Sequence, residues 1–152
     1  MTALPLYVYD GGRAAAGFKP SSDCVARSIA IAAQRPYVEV RGELAQINAA
    51  MPKTKGRKTA GLESAAHGIY TTSVLFKRYM AAQGFEWTPT MSIGSGCKVH
   101  LAEGELPMGR LVVAVSRHYT AVIDGVVWDT SNPCRGGMRC VYGYWKFVGE
   151  VK

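Results

Sequence analysis

The spacing of apolar positions changes character near residue 110: before it the periodicity is helical, after it the chain alternates or runs apolar as strands do. Leu6-Tyr7-Val8-Tyr9 reads as a short strand, ended by Asp10-Gly11-Gly12. From Val25 to Ala33 almost every residue is apolar or small, with Arg27 and Ser28 as exceptions, which predicts a helix buried on most sides. Ser22 or Asp23 is placed to cap its N-terminus. Pro36 suits the first turn of a second helix, in which Tyr37, Val40, Leu44 and Ile47 recur on one face, ending near Ala50 before Pro52. Residues 52–70, rich in Lys, Gly, Thr and Ser, read as a long loop. Thr71-Thr72-Ser73 caps a third helix carrying Leu75, Phe76, Tyr79 and Met80, with Gly84 at its end. Residues 85–110, punctuated by Pro89, Gly94, Gly96, Gly104, Pro107 and Gly109, read as irregular.

Leu111–Val115 is a continuous apolar run, as expected of a central strand. Residues 121–128 form a hairpin pattern with Asp124-Gly125 at the turn, and Cys140–Val148 is a last strand rich in aromatics. Helices first and strands afterwards predict an α+β fold: one domain over residues 1–152, with a buried N-terminal helix packed on a C-terminal, mostly antiparallel sheet.

The chain has 152 residues, 48% of them apolar, enough for one domain with a real core and against global disorder. No apolar run approaches the length that spans a bilayer, and Met1–Leu6 lacks a secretory pattern, so the expectation is a soluble cytoplasmic protein without membrane association. Net charge is +7, which favours acidic partners, nucleic acid included. The densest basic run, Lys53 to Lys58, has no interleaved aromatic residue to stack on bases. It reads as a solvated loop first and a phosphate-contacting loop second. In the absence of an export pattern, Cys24, Cys97, Cys134 and Cys140 are expected to be reduced, with a Cys134–Cys140 bridge as the oxidised alternative. Cys97 with His100, and Cys134 with Cys140, offer four zinc ligands at loose spacing, and nothing orients His67 with His100, so no metal and no cofactor is expected. P-loop, dinucleotide-binding and metalloprotease-helix patterns are absent from the sequence.

The chemistry concentrates on Cys24 and His118. Cys24 lies where the polar stretch Ser21-Ser22-Asp23 turns into the buried helix, and His118 opens the strand after Val115-Ser116-Arg117. A thiol at a helix N-terminus has its anion favoured by backbone N–H groups and the helix dipole, and a histidine beside it can act as its base. With Asp124-Gly125 as a two-residue turn, Ile123 pairs with Val126, Val122 with Val127, Ala121 with Trp128, and Thr120 with Asp129. Asp129 then shares a face with His118 and lies diagonal to it, where a carboxylate fixes an imidazole tautomer. Asn132 falls on the other face in this register.

Cysteine on a first buried helix, followed by histidine and an acid or amide on adjacent strands of a later sheet, resembles the papain-like cysteine peptidase superfamily. The matching positions are Cys24, His118 and Asp129. The stretches Asp23–Ser28, Pro89–Met91, Arg117-His118 and Trp128–Thr130 are also similar to uncharacterised bacteriophage and prophage proteins. The resemblance implies a papain-like fold and cysteine-dependent hydrolysis of a peptide or isopeptide bond, or a related acyl transfer, in a bacterial host cell. In papain-like peptidases a Gln upstream of the Cys completes the oxyanion hole and a glycine follows the Cys. Here Phe18, Lys19 and Pro20 occupy the upstream positions and Val25 follows, leaving Ser21 or Ser22 as substitute donors. These departures define a second function class, a catalytically inactive papain-like fold that binds a host protein or, through the basic loop, nucleic acid. Residues 52–70 and 94–109 are expected to border the Cys24–His118 cleft, with Gly94 and Gly96 permitting close backbone approach.

Overall fold

A computed structural model describes residues 2–51, 71–92 and 94–149. Among them are three helices and six strands in a mixed α+β arrangement: β1 (Leu6–Val8), α1 (Cys24–Ala33), α2 (Tyr37–Ala50), α3 (Val74–Ala82), β2 (Phe85–Pro89), β3 (Arg110–Val115), β4 (His118–Ile123), β5 (Val126–Asp129) and β6 (Val141–Phe147). No helix among the described residues is long and apolar enough to cross a membrane.

The apolar content of α1 is explained by its surroundings: Val25 through Ala32 are all buried. Asp23 occupies the N-cap position of α1, but its carboxylate does not cap the helix. The acid is committed to side chains instead, and Ser22 is exposed, so the expected side-chain cap is not formed. Gln34 ends α1 in the left-handed region at φ 56°. In α2 the periodic positions Tyr37, Val40 and Leu44 are buried, and Pro36 occupies the N-cap position just outside the first turn. Ser73 caps α3, its Oγ accepting from the Phe76 N–H at 3.1 Å, and Phe76 and Met80 face the core.

The sheet order is β1-β5-β4-β3-β6-β2. Among the described residues only the β1–β5 pairing is parallel; the other four are antiparallel. The hairpin register is the one its turn dictates: Ala121 opposite Trp128, Val122 opposite Val127, Ile123 opposite Val126. Asp124 and Gly125 take φ of 48° and 79°, the two positive values a tight primed turn requires.

Residues 85–89, expected to be irregular, form the edge strand β2 against β6. Phe85 is buried while Glu86 to Pro89 are exposed, so one side of the strand carries little of the apolar pattern that marks interior strands.

The sheet separates two apolar clusters. One joins the helices to Val112, Phe85 and Trp145 through Ile29, Val40, Leu44 and Phe76. The other gathers Leu111, Val113, Val115, Val122, Val127 and Val141 with Leu4 and Leu101 from outside the sheet. This double coverage explains why β3 reads as an uninterrupted apolar run rather than an alternating one.

Candidate active site

Three of the sequence-selected residues converge. Cys24 is the first residue of α1, His118 the first of β4 and Asp129 the last of β5. His118 and Asp129 therefore occupy the same end of the β4–β5 hairpin, remote from its turn. His118 Nε2 lies 2.7 Å from Asp129 Oδ2, and His118 lines the same cleft as the Cys24 thiol, whose ionisation it favours. One ring is thus set between a buried carboxylate and a cysteine at a helix start.

Asp129 is 3% exposed and fully engaged. Oδ2 also accepts from Thr120 Oγ1 at 2.7 Å, and Oδ1 accepts from Arg27 Nη1 at 3.1 Å and from the Thr130 N–H at 2.7 Å. Burial disfavours its charge, but the bonds from His118 and Thr120, the charge of His118 and the Thr130 amide outweigh that and hold its pKa at about 2. For His118, burial pushes the pKa down, and the hydrogen bonds and charges of Asp129 and Cys24 push it up further, to about 9. Burial opposes the Cys24 thiolate, yet the His118 bond, the Tyr119 backbone amide and the charges of His118 and Arg27 bring the thiol below its ordinary value. The electrostatics shift both groups toward their charged forms, thiolate and imidazolium.

A cleft of about 980 Å³ lies beside the pair, reached by both Cys24 and His118. Trp87, Tyr119, Tyr142 and Trp145 give it an aromatic wall, in which the two indoles stand 5.0 Å apart. Lys77, Glu86 and Arg117 are its charged members. Ser22 borders the cleft, whereas Ser21 does not, and its buried Oγ has no hydrogen-bond partner.

Several expectations are corrected. Residues 94–109 do not line this cleft; Lys98, Val99 and Ser95 border a separate hollow with Pro89 to Ser92. Gly94 and Gly96 have open space where a Cβ would stand, so they permit no close approach; their positive φ accounts for the residue type. Residues 52–70, including Lys53–Lys58 and His67, lie outside the described residues.

The cysteines are not all reduced, and Cys134 and Cys140 are not partners. Cys97 and Cys140 form a disulfide, while Cys134 is a buried free thiol whose pKa burial pushes up. The antiparallel bridge between His100 and Cys140 brings these two distant segments together. It also removes both thiols from the four-ligand zinc set, and His100 Nδ1 instead meets Glu105 Oε1 at 3.1 Å. Asn132 accepts from the Cys134 N–H at 2.9 Å and takes no part in orienting His118.

Arg27 and Thr120 are site residues that the sequence did not single out. The clue for Arg27 is its isolation: a cation in an otherwise buried helix requires carboxylate partners.

No protein-family model, curated protein or solved structure matches this chain.

Proposed function

We propose that the chain is a cysteine-dependent hydrolase of papain-like fold, phage-encoded and acting in the host cytoplasm, that cleaves or transfers the acyl group of a peptide or isopeptide bond. The observation that carries this reading is the His118 imidazole, hydrogen-bonded to buried Asp129 and lining one large cleft together with the Cys24 thiol at the start of α1.

The Cys24 thiolate attacks the carbonyl carbon, forming a C–S bond as the carbonyl electrons move to oxygen. Backbone N–H groups of the first turn of α1, which have no partner within the helix, and the Ser22 hydroxyl, which lines the cleft, are the donors we assign to the developing oxyanion. Collapse breaks the C–N bond, and His118 gives its proton to the leaving amine. Water then adds to the thioester with His118 taking its proton, the C–S bond breaks, and the thiolate–imidazolium pair returns. Asp129 keeps Nε2 as the donor nitrogen, leaving the other ring nitrogen for the sulfur.

The test is the rate of Cys24 alkylation by iodoacetamide against pH. An inflection well below the free-thiol value of roughly 8.5 supports the reading; an unshifted one overturns it. The Cys24→Ala variant should lose all turnover of a peptide library.

One observation favours a second reading, an inactive binder of a host protein: Val25 lines the cleft directly beside Cys24, at the position where papain-like peptidases carry glycine. A fast, low-pH alkylation combined with no turnover of any peptide, and with Val25→Gly restoring turnover, would favour it.

A further inference from the structure

Arg27 is 8% exposed and lies one turn beyond Cys24 on the same helix. A guanidinium is costly to bury and stays buried only where its donors are met by carboxylates in good geometry. Two carboxylates meet it: Nε donates to Asp23 Oδ1 at 3.0 Å and Nη1 donates to Asp129 Oδ1 at 3.1 Å, with Thr130 Oγ1 3.3 Å from Nη1. Asp23 is further neutralised by Arg13, 2.9 Å away, and bonded by the Tyr37 hydroxyl.

Two permanent cations, Arg13 and Arg27, thus balance two carboxylates, Asp23 and Asp129. The network is neutral without any contribution from His118. That matters because His118 gives up and regains a proton in each cycle of the proposed reaction. A buried carboxylate whose sole cation was that imidazolium would be uncompensated whenever the ring became neutral, and would then take a proton or turn away. Arginine cannot lose its charge in this range.

We propose that Arg27 is a positioning residue: its fork clamps Asp129 Oδ1 to the helix that carries Cys24, holding Asp129 ionised and aimed at His118 through both protonation states of the ring. This rests on the hydrolase reading above. Because the clamp and the nucleophile share α1, a single rigid element sets the distance between the thiol and its base.

The experiment is the pH profile of Cys24 alkylation in the full chain, compared among wild type, Arg27→Gln and Arg27→Lys, with melting temperatures recorded alongside. In the Gln variant the acid limb should move to higher pH, and the rate at pH 7 should fall roughly tenfold or more. Lysine keeps the charge but cannot reach both carboxylates with a planar fork, so its profile should fall between the two. A merely structural Arg27 would lower the melting temperature and leave the profile of the folded protein in place, which would overturn the proposal. So would a Lys variant indistinguishable from wild type, or one as impaired as Gln. If the Gln variant does not fold, the Lys variant alone decides, since a shift is expected and an unchanged profile overturns the clamp. A wild-type inflection already at the free-thiol value would overturn the hydrolase reading itself, and the clamp with it; a low wild-type inflection retained without Arg27 overturns only the clamp.

Discussion

His118 Nε2 and Asp129 Oδ2 stand 2.7 Å apart at the open end of one hairpin, and the imidazole held there favours ionisation of the thiol on the helix beside them. Replacing Asp129 by Asn removes the anion that lifts His118, so the imidazole titrates at lower pH and the Cys24 thiol at higher pH. Peptide turnover by Asp129→Asn should fall by roughly 10²- to 10⁴-fold. Steady-state hydrolysis and the alkylation profile measured on the same variant check it. An Asn variant with the wild-type profile would show that Asp129 does not tune the pair.

The same contact makes stability depend on pH, and the signs follow from the two shifts. His118 is raised from 6.5 to about 9, so its contribution is complete below 6.5 and is lost as pH rises through about 9. Asp129 is lowered from 3.8 to about 2, so its contribution is complete above 3.8 and is lost as pH falls through about 2. From these two groups the melting temperature should be flat between about pH 4 and 6.5 and decline on both sides. In His118→Gln the alkaline decline attributable to the pair should vanish. Calorimetric scans from pH 3 to 10 of both proteins provide the comparison.

The Cys97–Cys140 bridge ties residues 43 apart in sequence and joins the loop after β2 to the strand entry of β6. Closing a loop of that length contributes about 3–4 kcal/mol by restricting the unfolded chain. Cys97→Ser should lower the melting temperature, and added reductant should bring the wild type down to the same value. Alkylation at Cys24 should persist in the variant, because neither half-cystine borders its cleft. Mass spectrometry of the unreduced native chain should find one fast-labelling thiol, with buried Cys134 silent.

Gly143 faces Trp87 across the β2–β6 pair. A Cβ there would overlap the indole ring and approach the Thr88 carbonyl oxygen at 2.9 Å. Gly143→Ala must therefore displace Trp87 from the cleft wall, at a cost of about 1–3 kcal/mol. Altered tryptophan fluorescence together with a weaker KM and preserved alkylation of Cys24 is the expected pattern. An unchanged KM would show that the aromatic wall does not contact substrate.

Legibility in the sequence followed the range of the interactions. The β4–β5 register was readable because two adjacent residues, Asp124 and Gly125, fix it locally, and Asp129 fell into place from counting alone. The burial of α1 was readable because nearly every one of its residues is apolar. β2 was not, since its pairing depends on residues 143–147 and its exposed positions carry Glu86, Thr88 and Pro89. The cysteine pairing was hidden for the same reason: only the tertiary bridge at His100 and Cys140 brings Cys97 near its partner. Asp23 looked like a helix cap by position, yet two arginines and a tyrosine out-compete the backbone for its oxygens.

The sheet order β1-β5-β4-β3-β6-β2 places the first strand against a strand from near the other end of the chain, and Arg27 meets a partner 102 residues away. Contacts of such separation make folding slow, because the entropy of closing long loops is lost before the contacts form. During synthesis α1 leaves the ribosome long before His118 and Asp129 exist. Until the hairpin arrives, Cys24 lacks the imidazole that favours its thiolate, so on the proposed reading the thiol would become reactive only when the fold is complete.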